Sequence, residues 1–333
     1  MQCASIPVDE STRVAEARRV AVTFAQQEGV GDRAAEETAI VTSELASNLL
    51  KHAGSGELHI SRLSSLGTPG VQVLAIDRGP GMANLYACVA DGFSTAGTSG
   101  TGLGAVSRLA DVFDGYSQPG RGTVLVARKF APDRRNGHEG WVFAGVVVAF
   151  PGEPACGDNW VARSDGRQTW ILVADGLGHG ILAADASTAA VRAFEKAPLD
   201  SPIAVLEKVH LALRPTRGAA VAVSCIEWES GRVLYAGLGN ISGALLDGGR
   251  VRLMVSHSGT AGLEARRFQE FRYELPPEGT VVMHSDGISG NWSLDAYPGL
   301  LRRHPAVIAG VIYRDANRRR DDACVVVGRC IRE

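Results

Sequence analysis

Apolar and polar positions alternate in two different ways along this chain. Over residues 11–28, Val14, Ala17, Val20, Ala21 and Phe24 recur at helical spacing and predict a helix with one apolar face. Asp32 is placed to cap a second helix running to about His52. The pattern then shortens to strand length at 57–63 and 71–77. A glycine-rich polar loop follows over 78–100, a short helix at about 102–110, and strands near 112–117 and 123–130. Helices and hairpin-linked strands in this order predict an α/β sandwich, with helices on one face of a mixed sheet. The stretch 131–140, APDRRNGHEG, is polar, contains Pro and Gly, and separates two apolar runs, so it reads as a linker. Beyond it strands dominate, at 141–150, 158–163, 170–174, 219–226, 232–238, 243–247, 250–255, 269–275, 280–284 and 323–328. Helices are predicted at about 180–196 and 201–213, which suggests two stacked antiparallel sheets flanked by helices. The expected class is therefore α+β with two domains, 1–130 and 141–333, joined by 131–140.

Composition narrows the options. Of 333 residues, 45% are hydrophobic and 21% charged, and the net charge of −2 offers no electrostatic case for nucleic acid or an anionic membrane. The six cysteines are scattered singly, without a C-x-x-C pair, as expected of thiols in a reducing cytoplasm and not of a zinc site. The start, MQCASIPVDE, lacks a basic segment followed by an apolar run, so no signal peptide is expected. No apolar run approaches the roughly 18 residues of a membrane span, so no membrane association is expected.

Three motifs in the first half carry chemistry. Glu44 and Asn48 lie one helical turn apart on a shared face, with His52 a turn further on, and a carboxylate beside an amide oxygen suits Mg²⁺. Asp77 ends the apolar strand VQVLAID and is followed by Gly79 and Gly81, so its carboxylate stands at a strand tip able to accept from an adenine amino group. The run from Gly97 through Gly100 and Gly102 to Gly104 leads into AVSRLA, where backbone N–H groups and the helix dipole favour phosphate. It matches neither a dinucleotide fingerprint nor a Walker A loop. In this order, and with Gly122-Thr123 after them, the motifs over roughly 10–130 resemble the GHKL (Bergerat) ATP-binding fold, in the short form of the RsbT and RsbW anti-sigma kinases. That resemblance implies Asn48 on Mg²⁺, Asp77 on adenine, with Gly79 and Gly81 at the turn beside it, Gly100, Gly102 and Gly104 around the phosphates, and Thr123 near adenine. It makes Glu44 the general base on an attacking Ser or Thr hydroxyl.

In the second half, acids stand at the ends of strand cores. Asp158 opens one, Asp175 closes TWILVAD and begins Asp175-Gly176-Leu177-Gly178-His179-Gly180, Asp286 closes TVVMHSD, and Asp321 and Asp322 precede ACVVV. Carboxylates held at strand ends can converge, and hard oxygens suit Mg²⁺ or Mn²⁺. The ordered set GD, DGLGHG, SDG and RDD resembles PPM-type phosphatases, specifically the RsbX and SpoIIE branch, as do Arg217-Gly218-Ala219-Ala220, the stretch from Ala236 to Ile241, Arg303-His304-Pro305 and Tyr313-Arg314-Asp315. The resemblance covers about 140–330 and implies a β-sandwich flanked by helices with two Mg²⁺ or Mn²⁺ ions. Asp175 would bridge them, with the Gly176 carbonyl on one; Asp286 and Asp321 would hold the other, and Asp158 would contact a metal through water. Asp321 is preferred over Asp322 because it matches the first acid of the family pair. His179 is either a general acid or structural. Arg318-Arg319-Arg320 reads as a solvated turn or as charge offsetting the acids, and Trp141, Trp160 and Trp170 as packing residues.

Together the resemblances imply a cytoplasmic regulator that binds Mg·ATP, phosphorylates a Ser or Thr of a STAS-type anti-sigma antagonist, and hydrolyses phosphoserine or phosphothreonine. The alternative is an ATP-responsive module that only binds its partner, with the phosphatase as the sole or a lost activity. A sensor histidine kinase is not expected, since no helical His-box segment or sensor span is visible.

Overall fold

A computed structural model describes residues 3–63, 69–89, 102–132, 140–164, 167–227, 229–247, 250–265, 267–276 and 278–331. The chain divides into two compact units, one of residues 1–136 with 296–314, the other of 137–295 with 315–333.

The first unit holds the strands β1 (Cys3–Val8), β2 (Gly56–Arg62), β3 (Gly70–Ile76), β4 (Val112–Gln118) and β5 (Gly122–Phe130) in the order β1-β2-β3-β5-β4. Every pairing in this sheet is antiparallel, where a mixed sheet was expected, because β5 enters between β3 and β4 and runs against both. Helices α1 (Ser11–Gln27) and α2 (Asp32–Asn48) share a core with β2 and β3. Small residues let them approach closely: Ala17, Ala21 and Ala25 from α1, and Ala34, Ala35 and Ala46 from α2, are buried together with Leu45, Leu58 and Ile60. Asp32 is the first residue of α2 and not its cap; Gly31 stands in the cap position with φ 85°, and Asp32 faces the positive end of the helix dipole. After Asn48 the helix widens into a π-type turn, Leu49–Ala53, instead of continuing to His52 as an α-helix. Two short helices follow β3, α3 (Leu85–Val89) and α4 (Gly102–Leu109).

The second unit stacks two five-stranded antiparallel sheets. One contains β7 (Asp158–Ser164), β8 (Gln168–Gly176), β9 (Ala219–Glu227), β10 (Arg232–Leu238) and β13 (Phe271–Glu274), in the order β13-β10-β9-β8-β7. The other contains β6 (Gly140–Val148), β11 (Ser242–Asp247), β12 (Arg250–Met254), β14 (Thr280–His284) and β15 (Ala323–Ile331), in the order β12-β11-β14-β15-β6. Trp160 of β7 is fully buried against Gly145 of β6, where a Cβ would lie 2.6 Å from the indole nitrogen. Trp170 is buried as well; the side chain of Trp141 lies outside the described residues. Helices α5 (Ile181–Lys196) and α6 (Pro202–Leu213) pack on the first of these sheets through Ala186, Ala190, Phe194, Val205 and Val209. Ser201 caps α6 by accepting the Ala204 N–H, with Pro202 at its first position.

Strand β1 and helix α7 (Pro305–Ala316) were not foreseen from the sequence. β1 is a short edge strand carrying Pro7, paired to β2 alone. α7 is apolar all round, with Val307, Ile308, Val311 and Ile312 buried, so it has no polar face to reveal a helical period. Its N-terminus is capped by His304, whose Nδ1 accepts the Ala306 N–H. The body of α7 to Arg314 belongs to the first unit. Gly310 seats against Val124, Ile76 and Leu74, and Tyr313 donates its hydroxyl to Glu57 at 2.8 Å.

Candidate functional site

The first unit gathers its candidate residues around the end of α2. A Cβ at Gly102, the first residue of α4, would lie 2.9 Å from Glu44 Oε2 and 3.7 Å from Asn48 Oδ1. The glycine therefore lets a helix N-terminus approach the paired acid and amide. The Asn48 amide nitrogen is buried and makes no hydrogen bond, a donor left without an acceptor. The π-type turn after Asn48 brings Ala53 against Gly79, within 2.7 Å of where a Cβ would stand. Asp77 Oδ1 accepts the N–H groups of Gly79 at 2.8 Å and Thr123 at 3.0 Å. Burial pushes the Asp77 carboxyl above its usual range against these two hydrogen bonds and the charges of Arg314 and His52. Thr123 is itself fixed by Ser117, hydroxyl to hydroxyl at 2.9 Å, and Ser117 also accepts the Met82 N–H. Gly81, with φ 67°, lies too close to the Gln118 carbonyl for any side chain. Gly104 is buried within α4, and Gly100 lies outside the described residues. Glu44, Asn48, Gly102, Asp77, Gly79 and Thr123 thus meet in one region of the unit.

The second unit brings its acids to one end of both sheets. Asp158 at the start of β7 and Asp175 near the end of β8 are direct partners across that ladder. Asp286 follows β14, and Asp321 and Asp322 precede β15, its neighbour. Asp158 is only 3% exposed; its Oδ2 accepts the Ser285 hydroxyl at 2.6 Å, while its Oδ1 is buried with no partner. Burial raises the Asp158 carboxyl well above its ordinary value, and the charge of Asp175 pushes it further. Asp175 is pushed up to about 7 by burial and then by Asp286 and Asp321. Asp286 is raised by burial and Asp321, opposed by Arg318 and by Asn240, whose amide donates to Asp286 Oδ2 at 2.7 Å. Arg318 thus offsets Asp286, and all three arginines 318–320 are exposed.

Such a set of mutually repelling, desolvated carboxylates, one with an orphaned oxygen, fits divalent cations bound by hard oxygen donors. Among the described residues no group of three acid, His or Cys side chains stands close enough to hold a metal ion as placed. The neighbouring acids divide their roles. Asp322 is buried and its two oxygens accept the N–H groups of Phe150 at 2.7 Å and Gly157 at 2.8 Å, fastening two loops. Asp321 accepts the Asp322 N–H at 2.9 Å and its charge raises Asp175 and Asp286, while the charge of Asp322 raises Asp158 and Asp175. Gly176 has no room for a side chain against the Ala183 carbonyl, and its N–H donates to Gly157 O at 3.1 Å. His179 lies on the following loop, with Nδ1 2.6 Å from Glu153 Oε1. Asn240, Ser285 and Glu153 escaped the sequence reading. Asn240 and Ser285 sit within or beside stretches it quoted, but their contacts cross between strands far apart in the chain.

These two sites define an ATP-binding sandwich followed by a two-sheet phosphatase architecture. Residues 7–129 match the histidine kinase-like ATPase domain, and residues 165–330 match stage II sporulation protein E (SpoIIE). The serine/threonine-protein kinase RsbT of Bacillus subtilis (strain 168) is 40% identical over 116 residues, 34% of this chain and 86% of RsbT. The phosphoserine phosphatase RsbX of the same organism is 24% identical over 139 residues, 41% of this chain and 70% of RsbX. A chain from a structure of the bacterial stressosome, described as a modular system adapted to control secondary messenger signalling, superposes with a TM-score of 0.54. It is 26% identical and covers 57% of this chain and 99% of its own length. The chain belongs to the RsbT family through its first domain, and its second half is similar to SpoIIE and to the phosphatase RsbX. None of the six cysteines forms a disulfide, and no helix among the described residues is long and apolar enough to cross a membrane.

Proposed function

We propose that this chain is a cytoplasmic regulator that sets the phosphorylation level of a partner from both directions. Its second domain removes phosphate from phosphoserine or phosphothreonine. Its first domain binds Mg·ATP and transfers phosphate to a Ser or Thr of a STAS-type anti-sigma antagonist in a partner-switching pathway. The observation that carries the reading is the cluster of a buried Asp158, with its unpartnered oxygen, and the partly exposed Asp175, Asp286 and Asp321.

Asp175 would bridge two Mg²⁺ or Mn²⁺ ions, with the Gly176 carbonyl on one, Asp286 and Asp321 on the other, and Asp158 reaching a metal through water. When bound, such a pair lowers the pKa of a shared water and neutralises the phosphoryl oxygens. The protein's own part is to hold the donors still. Asn240 fixes Asp286, Ser285 fixes Asp158, and Asp322 pins the loops of Phe150 and Gly157 beside them. In the first domain Asp77 receives the adenine amino group with Thr123 beside it, Asn48 binds Mg²⁺, and Gly100, Gly102 and Gly104 receive phosphates. Glu44 takes the proton of the attacking hydroxyl. The likeness to RsbT and the approach of Gly102 to Glu44 and Asn48 support this half.

The test is hydrolysis of a phosphoserine peptide with and without Mn²⁺ by the full chain and by Asp175→Ala and Asp286→Ala. Metal-dependent turnover lost in both variants is the expected result; turnover surviving both overturns the metal assignment. For the kinase half, Glu44→Gln is expected to keep ATP binding while single-turnover transfer to a STAS domain falls about 10²–10⁴-fold. Transfer that persists in Glu44→Gln removes Glu44 as base, and wild-type ATP binding without transfer favours a domain that only binds.

A further inference from the structure

Glu153 has no role in the site described so far, yet the local chain is shaped to deliver it. Residues Phe150-Pro151-Gly152-Glu153 form a β-turn closed by the Glu153 N–H on the Phe150 carbonyl at 3.0 Å. Pro at the second place and Gly152 at the third with φ 91° are the residues a type II turn requires. The turn is anchored beside the acid cluster, because the Phe150 N–H donates to Oδ1 of Asp322, the neighbour of Asp321. The Phe150 ring lies 5.3 Å from the His179 ring, tilted by 42°. Gly180, with φ 77°, then leaves the space Glu153 needs, since a Cβ there would sit 2.5 Å from Glu153 Oε2. So seated, Glu153 Oε1 meets His179 Nδ1 at 2.6 Å. A carboxylate can only accept, so Nδ1 carries the hydrogen. The His179 side chain is 54% exposed and has Nε2 left to meet a substrate.

We infer that Glu153 positions His179 to protonate the seryl or threonyl oxygen as it leaves phosphorus; the inference rests on the phosphatase reading above. In this step water attacks phosphorus and the P–O bond to the side chain breaks. The electron pair of that bond stays on the departing oxygen, which takes the Nε2 proton of the doubly protonated ring. The ring recovers a proton from solvent, which receives the one released by the attacking water. An alkoxide is a poor leaving group and depends on this proton, whereas a nitrophenolate leaves without one. Glu153 is thus a positioning residue whose value depends on the leaving group, and a buttress of the loop alone would show no such dependence.

The experiment compares turnover of a phosphoserine peptide and of p-nitrophenyl phosphate by the Mn²⁺-loaded full chain. Variants are Glu153→Ala, Glu153→Gln, His179→Ala and the Glu153→Ala/His179→Ala double. Glu153→Ala is expected to lower kcat on the peptide about 10–100-fold, with a much smaller loss on p-nitrophenyl phosphate. Glu153→Gln, which still offers an oxygen to Nδ1, is expected to fall between wild type and Glu153→Ala. In the His179→Ala background, Glu153→Ala is expected to add no further loss. Equal losses on the two substrates, unchanged peptide turnover, or a further loss in the His179→Ala background overturns the assignment of Glu153. Wild type without Mn²⁺-dependent turnover of either substrate overturns the phosphatase reading itself, and this inference with it.

Discussion

At the residue scale the two adjacent acids before β15 illustrate how position decides role. Both add charge to the cluster, but Asp322 spends both oxygens on backbone N–H groups of loops far away in sequence, whereas Asp321 accepts only the N–H of its neighbour Asp322. Replacing Asp322 by Ala should therefore destabilise the protein by about 1–3 kcal/mol for each N–H left orphaned. Replacing Asp321 by Ala removes a repelling charge along with one accepted backbone N–H, so the melting temperature in chelator should fall less than in Asp322→Ala. It should also shrink the rise on adding Mn²⁺ by the share of the ion that Asp321 helps to hold, about 2.7 kcal/mol for an ion at a hundred times its Kd. Thermal unfolding in chelator and in Mn²⁺ checks both, and the reverse pattern would assign the metal to Asp322. The sequence could place an acid pair here, but only the register of β15 and the loop contacts separate one from the other.

At the element scale, legibility followed two-sidedness. Helices α1, α2, α5 and α6 have an apolar face and a wet one, and the strands that carry Asp175 and Asp286 are short apolar runs ended by Asp-Gly. These patterns are visible in the sequence because they mark a boundary between core and solvent. α7 has no such boundary and stayed hidden, and β1 carries a proline that reads as a break. The π-type turn after Asn48 was also illegible, because widening a helix by one residue leaves no mark in composition. α7 offers a direct check of its seat. A side chain at Gly310 would meet Val124, 2.7 Å from the added Cβ, so Gly310→Val should overpack the sheet and cost about 1–3 kcal/mol. Faster amide exchange in β3 and β5 of this variant, with β8 and β9 unchanged, is the expected result. Unaltered exchange in β3 and β5 would contradict the described packing.

For the whole molecule, each unit has its own buried core and its own candidate site. The carboxylate set was legible because each member ends or begins a strand and the strands share one end. Glu153, Ser285 and Asn240 were not, since their meaning lies in contacts across loops. Segment 296–314 crosses the simple division by sequence order, being placed between Asp286 and Asp321 in the chain and packed in the first unit. The central claim is that the acid cluster is a metal centre, and it can be tested without knowing any partner. The measurement is calorimetric titration of the nucleotide-free full chain with Mn²⁺, for wild type and Asp175→Ala. The account predicts uptake of two ions by wild type and loss of both when the bridging carboxylate is removed. No uptake by wild type, or uptake unaffected by Asp175→Ala, would contradict it.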